Sequence, residues 1–167
     1  MVVIRKPGRA TYSDPKSYRP ISLIKTFSKT MEFIQAKRLI STAEIHKLLP
    51  LTHCGGRKSS SCEHAIHLLL EKIFSAWRST NSKVASLLLL DGSGAFDNVN
   101  HQRLLWAVRR LGFRENLVGW LGSYLSGCSG QIRMTEGLMP RFSIEKGIPQ
   151  GSPLSPILWL IYNLEIL

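Results

Sequence analysis

Asp91 stands directly behind four leucines in LLLLDGSGAFDNVNH, residues 87–101, and a second acid, Asp97, follows six positions later. An ionised carboxylate taken out of water needs a partner charge, hydrogen bonds or a metal ion. Asp91 therefore either caps the glycine-rich turn behind it or sits at the mouth of a sheet, where ligand sites gather at strand ends. Six residues of extended chain span roughly 20 Å at ~3.3 Å each, too far for both acids to serve one metal pair unless the chain folds back sharply. Without such a fold, Asp97 supports the site from behind or favours the N-terminus of a helix starting near Asn100.

Composition sets the surroundings of this carboxylate. The chain has 167 residues, 22 Lys and Arg against 11 Asp and Glu, and a net charge of +11. Residues 1–60 hold 12 of the basic residues against Asp14, Glu32 and Glu44 alone, a balance of +9, which suits a polyanion such as nucleic acid or an anionic surface. Cys54, Cys62 and Cys128 form no paired framework and MVVIRKPGRA is no signal peptide, so a reducing, intracellular setting is expected. His53, Cys54, Cys62, His64 and His67 crowd together without the close Cys pair and His pair of a zinc site. The expectation is that His64 and His67 lie one turn apart on a helix and the cysteines pack as small apolar groups. The C-terminal PLSPILWLIYNLEIL is shorter than the ~18 apolar residues of a spanning helix, so it reads as a buried helix and no membrane partner is expected.

The elements that would position Asp91 can be read in chain order. Residues 1–20 hold a short apolar piece and three turn signals, a basic loop or hairpin. Leu23, Phe27, Met31 and Ile34 predict a cationic amphipathic helix from Ser22 to about Ile40. Ser60 with Glu63 matches a capping box for a helix from about 62, with Ala65, Ile66, Leu69, Leu70, Ile73 and Trp77 on its apolar face. The preceding GGRKSS is not a phosphate-binding loop, because Arg57 stands where that motif needs glycine. VASLLLLD, 84–91, bounded by Asn81-Ser82 and Gly92, predicts a strand covered on both faces. Asn100 caps a helix that Gly112 ends, and a second helix runs from Glu115 to Ser126 and stops at Gly127. Residues 130–146 predict two short strands around a turn near Glu136-Gly137, and Ser152 or Ser155 starts a helix over 156–164.

Four segments, in order, resemble the reverse transcriptases of retrotransposons that lack long terminal repeats. LLLLDGSGAFDNVNH resembles their first carboxylate motif, YRPISL at 18–23 their fingers motif, CGGRKSSSCEHAI at 54–66 their Gly-x-Arg segment, and GIPQGSPLSPIL at 147–158 their Pro-Gln-Gly motif. The resemblance implies an α+β fold, the fingers and partial palm of a right-hand polymerase, with a basic fingers-like region over 1–60 and a palm-like region with fingers return over 61–167. It implies addition of deoxynucleotides to a DNA primer on an RNA template, with two Mg²⁺ ions, or Mn²⁺, held by carboxylates. The non-catalytic alternative is a nucleic-acid-binding remnant that keeps the basic surface. The family acts on nuclear DNA, with intron-encoded relatives in mitochondria.

By the same resemblance Asp91 bridges both ions and the Gly92 carbonyl adds a ligand. Phe96 lies under the sugar and excludes a ribose 2′ hydroxyl; apart from the family it would be a core phenylalanine. Arg19 and Lys6 grip the triphosphate, for which a planar guanidinium and a mobile ammonium are suited. Gln150 and Gly151 contact the new base pair and template, glycine allowing close approach and glutamine offering both donor and acceptor. Gly92 stands where the family has a bulky apolar residue, at a cost of roughly 0.5–1 kcal/mol for glycine in a strand. The family's aromatic-x-Asp-Asp motif, thumb and endonuclease are expected outside these 167 residues, so the chain alone should show little polymerase activity.

Overall fold

The computed structural model describes residues 1–50, 52–57, 60–79, 84–92, 94–134 and 137–164. The N-terminal segment is the hairpin alternative: β1 (Val2–Arg5) pairs antiparallel with β2 (Tyr18–Ile21), Val2 opposite Ile21 and Arg5 opposite Tyr18. Asp14 accepts from the Lys16 backbone N–H to start the single 3₁₀ turn Pro15–Ser17 between them. The helix expected from Ser22 begins instead at α1 (Thr26–Ile45), since the chain stays extended through its N-cap Lys25 (φ −60°, ψ 144°), and the Ser22 N–H donates to the Gln150 carbonyl at 2.7 Å.

Downstream lie α2 (Cys62–Arg78), α3 (His101–Arg110) and α4 (Glu115–Leu125), then β3 (Ser129–Gly130), β4 (Arg133–Met134), β5 (Gly137–Leu138), β6 (Phe142–Ser143) and α5 (Ser155–Asn163). Where two short strands were expected over 130–146, four short strands form two antiparallel pairs, β4 with β5 and β3 with β6; Gly137 of the expected turn lies in β5, and Glu136 lies outside the described residues. Strand order is β2-β1-β4-β5 in one sheet, with β3 and β6 paired separately. Local signals place the helix ends well. Asn100 Oδ1 accepts from the Arg103 N–H at 2.9 Å, and Gly112 (φ +80°) and Gly127 (φ +62°) turn the chain out of α3 and α4.

The core is helical. Leu39 and Ala43 of α1, Leu104 and Val108 of α3, Val118 and Leu121 of α4, and Leu158 and Ile161 of α5 are fully or nearly fully buried. The fold is α+β, two small sheets and a core drawn from four helices.

Several expectations are corrected. Residues 84–91 form no strand; they are irregular and exposed, Leu88, Leu89 and Leu90 at 79%, 81% and 78%. A strand is held by its ladder partners, and among the described residues none pairs with this run; Asn81 and Ser82, expected to bound it, lie outside the described residues. On α1 the buried face is Glu32, Ala36, Leu39 and Ala43, leaving Phe27, Met31 and Ile34 exposed. The small alanines allow close packing of that face, and Glu32 finds a hydrogen-bond donor inside. The cap of α2 is Ser61, which accepts from His64, so the Ser60–Glu63 box does not form; Glu63 instead lies in the positive first turn. None of the apolar face of α2 is buried. Cys62 is exposed rather than packed, and no cluster of three His, Cys, Asp or Glu that could hold a metal occurs among the described residues. Among those residues, too, no helix is long and apolar enough to cross a membrane.

Candidate active site

Two segments far apart in sequence close on each other. Residues 94–98 turn back, the Asn98 N–H donating to the Gly94 carbonyl at 3.0 Å with Gly94 at φ +61°. The chain after this turn is stitched to 146–150. The Ile148 N–H donates to the Phe96 carbonyl (2.9 Å), the Gly147 N–H to the Val99 carbonyl (2.7 Å), and His101 Nε2–H to the Gly147 carbonyl (2.7 Å). Lys146 Nζ reaches Asn98 Oδ1 at 3.2 Å. Gly147 is required here: at φ +87°, a Cβ would stand 2.9 Å from the Asp97 carbonyl oxygen. Gln150 Nε2 then lies 3.1 and 3.2 Å from the two carboxylate oxygens of Asp97.

The following turn is anchored to the helices. Gly151 has φ +108°, and a Cβ on it would press to 3.1 Å from the Ser22 carbonyl. Ser152 donates its hydroxyl hydrogen to buried Glu32 of α1 at 2.5 Å and accepts from Tyr124 of α4 (3.4 Å) and the Leu154 N–H (3.0 Å). Burial pushes the Tyr124 phenol up to about 12. Of the two serines expected to start the last helix, neither caps it by side chain: Ser155, its first residue, donates to the Pro149 carbonyl at 2.8 Å. A cavity of about 480 Å³ opens between these parts, walled by Phe27 and Met31, Trp120 and Tyr124, and Ile148 and Gln150.

Of the residues singled out from sequence, Phe96, Asp97, Gln150 and Gly151 are brought together. Phe96 is half-buried with its ring edge-to-face with Trp159, centroids 5.9 Å apart. Gly92 lies near the same ring, where a Cβ would be 3.9 Å from Trp159. Asp91 is exposed, makes no hydrogen bond or ion pair among the described residues and does not line the cavity. The desolvation argument for a metal therefore lapses: Asp91 stands in water, not on the end of a buried strand. Lys6 donates Nζ to the Lys16 carbonyl at 2.7 Å, tying the base of the hairpin loop, and Arg19 is exposed on β2 opposite Ile4.

Sequence reasoning missed two contacts. Glu32 was read only as one of three acids in a basic region, and its partner Ser152 is supplied from the other end of the chain. Arg57, which spoils a phosphate loop and ends the Gly-x-Arg of the 54–66 segment, forks onto Glu44 (2.7 and 2.6 Å) and donates to the Pro50 carbonyl, contacts that neither pattern reveals. That hydrogen-bonded guanidinium holds the Glu44 carboxyl below its ordinary range.

The profile of the family described as reverse transcriptase (RNA-dependent DNA polymerase) matches residues 4–167. The chain belongs to the reverse transcriptase family. Among relatives of this reverse transcriptase chain is the probable RNA-directed DNA polymerase from transposon X-element of Drosophila melanogaster, 32% identical over 98% of the chain and 18% of the relative. Another is that from transposon BS of the same species, 31% identical over 99% of the chain and 18% of the relative. A third is the Pol polyprotein from a type-1 retrotransposable element R2 of Popillia japonica, 30% identical over 92% of the chain and 21% of the relative. The reverse transcriptase chain thus spans about a fifth of the length of these relatives, which belong to retrotransposons without long terminal repeats.

Enzymes of this family use divalent ions such as Mg²⁺, which demands near-octahedral oxygen coordination. The Asp91 carboxylate and the Gly92 carbonyl are oxygen groups of the type such an ion takes, and among the described residues no group of three or more histidines, cysteines or carboxylates that could hold a metal occurs. The residues described here do not by themselves complete a two-ion site.

Proposed function

We propose that this chain carries the fingers (1–60) and part of the palm (61–167) of an RNA-directed DNA polymerase that adds deoxynucleotides to a primer 3′ end by two-metal phosphoryl transfer. The observation that carries this reading is the closure of 96–101 on 147–151, which gathers Phe96, Gln150 and Gly151 around one turn. In that site Phe96 underlies the incoming sugar. The Phe96 and Trp159 rings meet edge-to-face, a contact that supports Phe96 as a steric wall. Gln150 and Gly151 face the new base pair and template, Arg19 and Lys6 hold the triphosphate, and Asp91 with the Gly92 carbonyl provides part of the ion ligation. The partners are an RNA template, a DNA primer and deoxynucleoside triphosphates. Among the described residues no metal-holding group of histidines, cysteines or carboxylates forms around Asp91 and the Gly92 carbonyl, and we infer that these residues alone extend primers little or not at all.

The test is RNA-templated primer extension by the protein expressed in its full native reading frame, supplied with deoxy- or ribonucleotides. Phe96→Val should raise ribonucleotide use relative to deoxynucleotide use by about tenfold, an energy of ~1.4 kcal/mol. An unchanged ratio would make Phe96 a core residue only.

A second reading, a non-catalytic nucleic-acid-binding remnant, is favoured by one observation: among the described residues Asp91 stands exposed without a hydrogen-bond or ion-pair partner, while Arg19, Lys25, Lys29, Lys37 and Arg38 are exposed. Extension by the wild-type protein contradicts it.

A further inference from the structure

Gln150 carries both a donor and an acceptor on one amide, and which of them meets a ligand depends on what the other meets. Its Nε2 lies 3.1 and 3.2 Å from the two oxygens of Asp97. An ionised carboxylate only accepts hydrogen bonds, so it selects the NH₂ end of any amide placed against it and turns the carbonyl Oε1 away. The frame leaves little freedom for another arrangement. The Ile148 and Gly147 N–H groups are bonded to the carbonyls of Phe96 and Val99, and His101 holds the Gly147 carbonyl. The Gly147 backbone stands so close to Asp97 that a Cβ would meet its carbonyl oxygen at 2.9 Å. The Gln150 carbonyl is itself engaged by the Ser22 N–H at 2.7 Å, fixing the backbone from which the side chain departs.

We propose that Asp97 is a positioning residue that sets the polarity of Gln150: the glutamine meets its ligand as a hydrogen-bond acceptor, and the ligand group it receives is a donor, a hydroxyl or an amine. This rests on the reading of the site as a nucleotide and template site. It assigns Asp97 a role distinct from metal ligation and from starting α3, which Asn100 caps.

A swap of polarity tests it, using primer-extension kinetics of the protein in its full native reading frame. Asp97→Asn frees the amide to turn over, and Gln150→Glu sets two carboxylates against each other; each should raise the KM for deoxynucleotide about tenfold. The double variant, Asp97→Asn with Gln150→Glu, restores a donor facing an acceptor with an acceptor oxygen left outward, and should return KM to within about threefold of wild type. Thermal unfolding of all three checks that folding is intact. If Asp97→Asn leaves KM unchanged, or if the double variant is no better than the worse single one in a folded protein, the inference is overturned while the polymerase reading stands. If the wild type does not extend primers, the polymerase reading fails first and takes this inference with it.

Discussion

Ser152 has one hydroxyl hydrogen, and giving it to Glu32 leaves its oxygen to accept from Tyr124 and the Leu154 N–H, so one small side chain joins α1, α4 and the turn before α5. Burial of the phenol is the largest cause of the raised Tyr124 value, about 12 against an ordinary 10. The sign follows from the direction: the folded state holds the proton more tightly than the unfolded chain. The contribution to stability is whole below about pH 10 and is lost as pH rises towards 12. Denaturant midpoints measured across that window should fall for the wild type and fall less for Tyr124→Phe, with the last phenolate absorbance step missing from the variant. Equal losses in both would show that another group governs alkaline unfolding. At this scale motif resemblance singles out Phe96, Gln150 and Gly151, which the fold brings to one turn, but it is silent about Glu32, whose place depends on Ser152.

Among the elements, α3 and α4 were legible because their signals are local: Asn100, Gly112 and Gly127 act within a turn of their own positions. The run 84–91 was misread because a strand exists only through its neighbours, and an apolar run of strand length does not say whether a ladder is within reach. For α1, helical spacing revealed an apolar set but not which face packs; the two alanines and Glu32 win because their partners lie on it. The elements therefore differ sharply in how far they contribute to folding. Leu121 of α4 is fully buried, and Leu121→Ala should cost roughly 2–5 kcal/mol. Trp77 of α2 is 60% exposed, and Trp77→Ala should stay within about 0.5 kcal/mol of wild type. Denaturant unfolding monitored by circular dichroism distinguishes the two; a large loss from Trp77→Ala would mean that α2 is buried against something in solution.

On the scale of the whole molecule, the charge and the closure belong together. Residues 1–60 carry the +9 balance, and Lys25, Lys29, Lys37 and Arg38 are exposed along α1, whose N-terminal half walls the cavity beside Gln150. A template or duplex lying there would be held through its phosphates, which suits an enzyme that accepts any sequence. Plotted as log affinity against log salt, binding of single-stranded RNA or an RNA–DNA duplex to the chain should fall with a slope of about −3 or steeper, as about four phosphate contacts would give. A slope near zero would remove the basic surface from the account. In the proposed reading, polymerisation depends on Asp91, the exposed carboxylate behind the four leucines. The direct measurement is Mg²⁺-dependent primer extension on an RNA template by the protein in its full native reading frame, wild type against Asp91→Ala. Loss of a metal-bridging carboxylate removes several kcal/mol of transition-state stabilisation, so the rate should drop about 10³-fold or more. Extension at an unchanged rate by Asp91→Ala would contradict the account.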